Sequence, residues 1–271
     1  MGARELRIAC LAMFGAVAAA QSVTVNFLPQ ETIEKRLGSY TTKNPTREPA
    51  IRALFEEAGC KADALSEQSV KGTKAPNLIC TLKGSSDATI VVGAHFDLVE
   101  RGRGVVDNWS GASLLPSFYQ GLSQEGRKHT FVLVAFTGEE QGLLGSYFFV
   151  KQLGDQRSQI KAMVNLDTLG LGPTQVWLSH SDRNLANWLG AVARQLNIPL
   201  GAVNVERVGT TDSEPFRDKK IPSMTVHSLT QQTLRILHSP QDTIDAVNLD
   251  DYYQTYKLLL AYLAALDRRI D

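Results

Sequence analysis

Three strand-like segments, residues 89–94, 130–136 and 160–166, constrain this chain more than any other feature: the first two are continuous apolar runs and the third reads as a further buried strand. In the first two the apolar residues fill successive positions instead of alternate ones, and Val is frequent. Segments of this kind are central strands covered on both faces. Helical spacing follows two of them, at 110–124 and 140–153. The pattern predicts a half-buried strand at 77–83, further strands at 175–179 and 222–226, and helices at 46–59, 182–196 and 249–266. The 46–59 helix carries Ile51, Leu54, Phe55 and Ala58 on one face and stops at Gly59. Strands alternating with helices imply an α/β sandwich with a mostly parallel sheet.

In open α/β sheets, binding sites form beyond the carboxyl ends of the strands. His95 and Asp97 follow the first run, Glu139 and Glu140 follow the second, and Asp167 ends the third. Three separate segments therefore deliver polar residues to one edge. Asp107-Asn108-Trp109-Ser110-Gly111 and His238-Ser239-Pro240 have compatible chemistry. Alone, each has an ordinary reading: Asp107 as a helix N-cap, His238 as a loop histidine, His95-Phe96-Asp97 as a structural histidine with its capping aspartate. Glu139-Glu140 resists one, because adjacent carboxylates after a buried strand repel unless cations absorb their charge.

Taken together, His95, Asp107, Glu140, Asp167 and His238 offer one imidazole per metal and a carboxylate to share between two ions ~3.5–4 Å apart. Two divalent cations, three carboxylates and one hydroxide sum to neutrality, so such a site can be buried without a large penalty. Mixed nitrogen and oxygen ligands suit zinc, with cobalt or manganese as substitutes. Glu139 is left over as a proton carrier. Asp97, two residues beyond His95 on the same side of the chain, is placed to accept the second ring N–H of that histidine. His129, His180 and His227 have no motif around them and are read as structural.

The order His-x-Asp, Asp-Asn-x-Ser-Gly, Gly-Glu-Glu, Asn-Leu-Asp and a late His-Ser-Pro-x-Asp-Thr resembles the secreted di-zinc aminopeptidases, from about Thr46 to the final helix. Gly138-Glu139-Glu140-Gln141-Gly142-Leu143-Leu144-Gly145-Ser146 is the most specific piece. The resemblance implies an eight-stranded mixed sheet between helices, a three-layer α/β/α sandwich. It implies that His95 and Asp167 hold one zinc, that Glu140 and His238 hold the other, and that Asp107 bridges them. Glu139 would be the general base and Asp97 an outer-shell partner. A non-proline cis peptide between Asp107 and Asn108 is implied as well. The expected activity is removal of N-terminal residues from peptides with a free amino end. Two positions depart from the pattern: Ser213 stands where the family often has His, and Trp109 where it usually has a smaller residue. The nearest alternative is a glutaminyl cyclase, which shares the fold and much of the ligand set but uses one zinc. A related metallo-carboxypeptidase is a second alternative, and a non-catalytic domain that has kept the fold a third. The complete ligand set argues against the last.

With 271 residues, 43% hydrophobic, the chain suits one large domain. Residues 1–20 differ from the rest. Arg4 and Arg7 precede an apolar run, 8–20, that ends in Ala18-Ala19-Ala20. This is the form of a secretory signal peptide, too short for a bilayer span of ~20 apolar residues. The expected mature chain is a single catalytic domain, 21–271, secreted or periplasmic. Losing Arg4, Arg7 and Glu5 leaves 26 basic and 27 acidic residues, and no basic patch points to nucleic acid or an anionic membrane. Cys10 leaves with the signal. Export permits a disulfide between Cys60 and Cys80, and two free thiols are equally compatible with the sequence.

Overall fold

The computed structural model describes residues 5–9, 22–124, 126–205 and 209–270. Ten strands are present among them: β1 Glu5–Ala9, β2 Ser22–Asn26, β3 Leu65–Gln68, β4 Asn77–Leu82, β5 Thr89–His95, β6 Thr130–Phe136, β7 Ile160–Leu166, β8 Thr174–Val176, β9 Leu200–Ala202 and β10 Ser223–His227. The last eight form one sheet in the order β3-β4-β6-β5-β7-β10-β8-β9. The middle four strands, β6-β5-β7-β10, run parallel, as do β8 and β9. The pairings β3-β4, β4-β6 and β8-β10 are antiparallel. The three strand-like segments are thus the three adjacent strands β6, β5 and β7 at the centre, and every residue of β5 is buried.

Strand alternation sorts the core into two layers. Ile90, Val92 and Ala94 of β5 face one large cluster, which they share with α1 (Gln30–Gly38), α2 (Asn44–Glu57), α4 (Leu114–Leu122), α6 (Arg183–Leu196) and α8 (Leu249–Arg269). Val91 faces the other way, with Val134, Phe136 and Met163, toward Phe149 and Val150 of α5 (Leu144–Gln152) and Phe216 of α7 (Glu214–Asp218). Helices therefore cover both faces of a mixed sheet, and the expected three-layer sandwich is the observed one. No helix of the described residues is long and apolar enough to cross a membrane.

Local chemistry moves several boundaries. The 110–124 helix is broken into α3 (Ser110–Ala112) and α4. The helix expected from 140 begins only at Leu144, because Gly138 and Gly142 take positive φ and fold 138–143 into turns. Asp182 is the N-cap of α6, accepting the Asn184 and Leu185 N–H groups, and not its first residue. Strand 175–179 ends at Val176 and a 3₁₀ turn follows at Leu178–His180. Helix α1, helix α7 and strands β3 and β9 were not expected. Cys60 and Cys80 are joined in a disulfide that ties the end of α2 to β4. The proposed cleavage point after Ala20, and Cys10 with it, lie outside the described residues. Glu5–Ala9 pairs antiparallel with β2.

Candidate metal centre

The sheet register builds the site. Within the ladder His95 is level with Phe136, and Gly93 is level with Asn165. The residues that leave these strands, His95, Thr137 to Glu140, and Asp167, therefore emerge side by side. Asp107 and His238 come from loops. The segment carrying Asp107 is fixed by its own motif: Asn108 donates to the Leu166 carbonyl and accepts from the Gly111 and Thr168 N–H groups. Ser110 bonds the Val106 carbonyl and accepts from Leu169 N–H. Gly111 has to be glycine, since a Cβ there would sit 2.6 Å from Asn108 Oδ1 and 2.8 Å from the Leu166 oxygen. The Asp107–Asn108 peptide is cis.

All six acidic and histidine side chains named from sequence for metal binding and proton transfer meet here. One oxygen of Asp107 lies 3.2 Å from His95 Nε2 and the other lies 3.2 Å from His238 Nε2. His95 Nε2 is also 3.8 Å from Asp167, and His238 Nε2 is 3.1 Å from Glu140 Oε2. His95, Glu139 and Asp167 have ligand atoms within 4.8 Å of one another, as do His95, Asp107 and Glu140. Asp97 sits differently from the expectation. Its backbone oxygen is the nearer contact of His95 Nδ1, at 3.2 Å, with the carboxylate at 3.7 Å. That carboxylate instead accepts the N–H groups of Glu139 and Glu140, and so shapes the Gly-Glu-Glu turn.

The electrostatics are those of a cation site. Burial works to raise the Asp107 carboxyl, but hydrogen bonds from His238 and His95 hold it well below the usual range. The same bonds to Asp107 and Glu140 push His238 up to about 10. Burial works against protonation of His95, and the surrounding carboxylates of Glu139, Asp107, Asp167 and Asp97 outweigh it and raise it. Glu139 is raised well above a normal carboxyl by burial and by the neighbouring Asp212, Asp167 and Asp107 charges, with His95 opposing. Burial also raises Glu140, with the His238 bond opposing. Glu140 Oε1 is buried without a hydrogen-bond partner. Among the described residues no Lys or Arg forms an ion pair with these carboxylates. An orphaned carboxylate oxygen amid converging imidazoles is the environment that divalent zinc fits.

A cleft of about 210 Å³ opens on this cluster. Leu143, Trp177, Val205, Leu229 and Leu237 form an apolar wall, and Thr211, Thr225 and His227 line another part. Sequence reasoning did not find these, because they come from loops and from strands remote in the chain. His227 donates from Nε2 to the Val203 carbonyl and accepts the Leu229 N–H at Nδ1, and burial drives it down to about 4. It is a locked neutral ring. Of the other two histidines read as structural, His129 contacts Asp267 and His180 stacks on Trp177. Ser213 closes a buried hydroxyl trio with Thr211 and Thr225. Trp109 is buried in the core, donates to the Arg36 carbonyl and carries the Arg47 guanidinium 5.4 Å from its ring.

A mixed sheet bearing two imidazoles and a crowd of carboxylates at its carboxyl edge defines an α/β protein built around a candidate two-metal centre. Residues 77–263 match the model of peptidase family M28, and the chain belongs to that family. It is 25% identical over 236 residues to a probable leucine aminopeptidase of Arthroderma otae, covering 80% of this chain and 63% of that protein. The chain thus spans less than two thirds of the length of this curated relative. The LapA aminopeptidase of Legionella pneumophila has the same fold, with a TM-score of 0.78 at 21% identity over 90% of this chain and 73% of that one. A glutaminyl cyclase from an Acidobacteriales bacterium superposes with a TM-score of 0.70 at 16% identity, over 89% of this chain and 94% of the cyclase.

Proposed function

We propose that this chain is a secreted zinc-dependent aminopeptidase that removes N-terminal residues from peptides. The observation that carries the reading is Asp107, whose two oxygens each face a different imidazole at 3.2 Å. That is the disposition of a carboxylate shared by two ions. In this reading His95 and Asp167 would hold one zinc, Glu140 and His238 would hold the other, and Asp107 would be shared between them. When bound, the pair of ions supplies Lewis acidity toward a peptide carbonyl and lowers the pKa of water.

The chain's own groups do the rest. Glu139, buried beside His95 and Asp167, takes the proton of the attacking water and returns it to the departing amine. Asp97 fixes the Glu139 and Glu140 backbone through both of its oxygens. The apolar wall of Trp177, Val205, Leu229 and Leu237 receives a side chain and keeps water away from the carbonyl. Residues 1–20 act as an export signal, and a disulfide at Cys60–Cys80 agrees with an oxidising compartment. The first residue of protein exported by its host should be Gln21.

One observation favours a second reading. The chain covers 94% of the bacterial glutaminyl cyclase but a smaller share of the aminopeptidases. Zinc content and a substrate panel separate the two. An aminopeptidase holds close to two zinc ions and releases chromophore from unblocked aminoacyl substrates. A cyclase holds one and releases ammonia from N-terminal glutamine. Peptides blocked at either end separate a carboxypeptidase from both.

A further inference from the structure

Arg47, on α2, is a fully buried cation with no part in the proposed chemistry. Its guanidinium donates to four backbone carbonyls: Thr41 at 3.0 Å, Phe96 at 2.9 Å, Arg103 at 2.8 Å and Gly104 at 2.7 Å. Three of the four belong to the stretch between His95 and Asp107. Gly104 permits the approach, because a Cβ there would lie 2.8 Å from the guanidinium and 2.7 Å from Leu98 Cβ. A second buried charge grips the same stretch from the opposite side. The carboxylate of Asp242 accepts the Val106 N–H at 2.7 Å and the Asp107 N–H at 3.3 Å. Its backbone oxygen accepts the Arg103 N–H at 2.9 Å.

Asp242 also belongs to the turn that carries His238. Its N–H donates to the Ser239 carbonyl, and Gly102 lies so close that a Cβ there would sit 2.3 Å from the Ser239 oxygen. The residues from 96 to 107 are thus held to α2 by Arg47 and to the His238 turn by Asp242. His95 and Asp167 are placed by the sheet itself, whereas His238 stands on a turn with its side chain about half exposed. Only the second imidazole depends on a loop-to-loop tie.

Resting on the two-zinc reading, we propose that Arg47 and Asp242 are positioning residues for the bridging carboxylate, and that Asp242 specifically sets the affinity of the zinc held on the His238 side. The carboxylate is required because two N–H donors converge on it. An amide presents one acceptor and turns a donor toward the other N–H. Arg47 is required because its planar fork reaches several carbonyls at once, which an ammonium on a flexible stem does not.

The experiment is a stepwise zinc titration of the full metal-free chain against a chromogenic chelator, with circular dichroism of each metal-free variant. In Asp242→Asn the second equivalent weakens by ~10–100-fold, the usual effect of losing an outer partner, while the first, which shares only Asp107 with that side, weakens less. Excess zinc restores its turnover. Asp242→Glu, which keeps the charge but shifts the oxygens, weakens the second equivalent in the same direction and guards against a poorly folded amide variant. Arg47→Lys weakens both equivalents, since the stretch it holds joins His95 to Asp107. A folded Asp242→Asn or Asp242→Glu chain that titrates like wild type, or loses both equivalents equally, overturns the inference alone. A wild-type chain that holds fewer than two zinc ions overturns the two-zinc reading and this inference with it.

Discussion

Glu139 and Glu140 are neighbours in sequence, yet the proposed reading gives them different work, and Glu139→Gln separates the two. Glu140 directs Oε2 at His238 from 3.1 Å and leaves Oε1 buried without a partner, the posture of a ligand. Glu139 is raised more strongly, by burial and by the Asp212, Asp167 and Asp107 charges, and has no hydrogen bond to either imidazole. Gln is nearly isosteric, and the backbone at 139 and 140 is held by Asp97 whatever the side chain. Glu139→Gln should therefore fold and keep both metals. Its turnover should fall by ~10²–10⁴, the usual contribution of a positioned base, equivalent to about 3–5 kcal/mol in the barrier. Glu140→Gln should lose zinc, because an amide is a poor replacement for a charged ligand. Elemental analysis beside steady-state kinetics on an unblocked aminoacyl substrate measures both. A Glu139→Gln protein that loses a metal, or that turns over at the wild-type rate, refutes this division of labour.

Further perturbations probe the metals, the fold and its pH response. Asp107→Asn should cost more metal than any other single ligand change, since its two oxygens each lie 3.2 Å from a different imidazole, and equilibrium dialysis against zinc ranks the variants. Reducing Cys60–Cys80, which closes a 20-residue separation, should cost about 3 kcal/mol by chain entropy, seen as a lower urea midpoint with dithiothreitol. Phe216→Ala should destabilise by ~3–5 kcal/mol, because its buried ring packs against Phe136 and Phe149. His227 is held at about 4 in the fold, below the usual 6.5. The unfolded chain therefore takes up its proton first, and this contribution, of order 3 kcal/mol, is complete above pH 6.5 and lost as pH falls toward 4. Urea midpoints between pH 7 and 4 should fall less steeply in His227→Asn than in wild type.

What the sequence disclosed is what repeats along a strand or within a short motif. The largely apolar segments located β5, β6 and β7 because a parallel strand covered on both faces carries few polar residues. His95, Glu139, Glu140 and Asp167 stand at or just beyond the ends of these strands. Edge strands β3 and β9 are short and half exposed, so neither alternation nor length marks them. The 140–153 expectation put a helix where Gly138 and Gly142 force turns, although both glycines were visible in the motif. Arg47 was hidden because on a helical pattern an arginine reads as the solvent face, and its carbonyl partners lie six to 57 residues away. Asp242 stood inside the His-Ser-Pro-x-Asp-Thr pattern, but a pattern does not say which N–H groups a carboxylate accepts. The cleft wall of Trp177, Val205, Leu229 and Leu237 is assembled from separate segments whose meeting depends on the whole fold.

The centre is thus built from two materials with different tolerances. His95 and Asp167 hang from neighbouring strands locked by register, so their separation changes only if the sheet does. Asp107 and His238 hang from loops, where chain entropy opposes a fixed geometry. The molecule offsets that entropy with buried charge: Arg47 and Asp242 each spend their hydrogen bonds on backbone groups of one short stretch. Buried ions are costly unless their hydrogen-bonding capacity is met, and here the backbone meets it. The crowding of Asp107, Asp167, Glu139 and Glu140 adds mutual repulsion that the proposed zinc ions would relieve, which would link metal binding to folding stability. Relief of that repulsion acts on the whole cluster, whereas the ties made by Asp242 act on one side of it. Substitutions in the ties should therefore change how the metals bind before they change whether the chain folds.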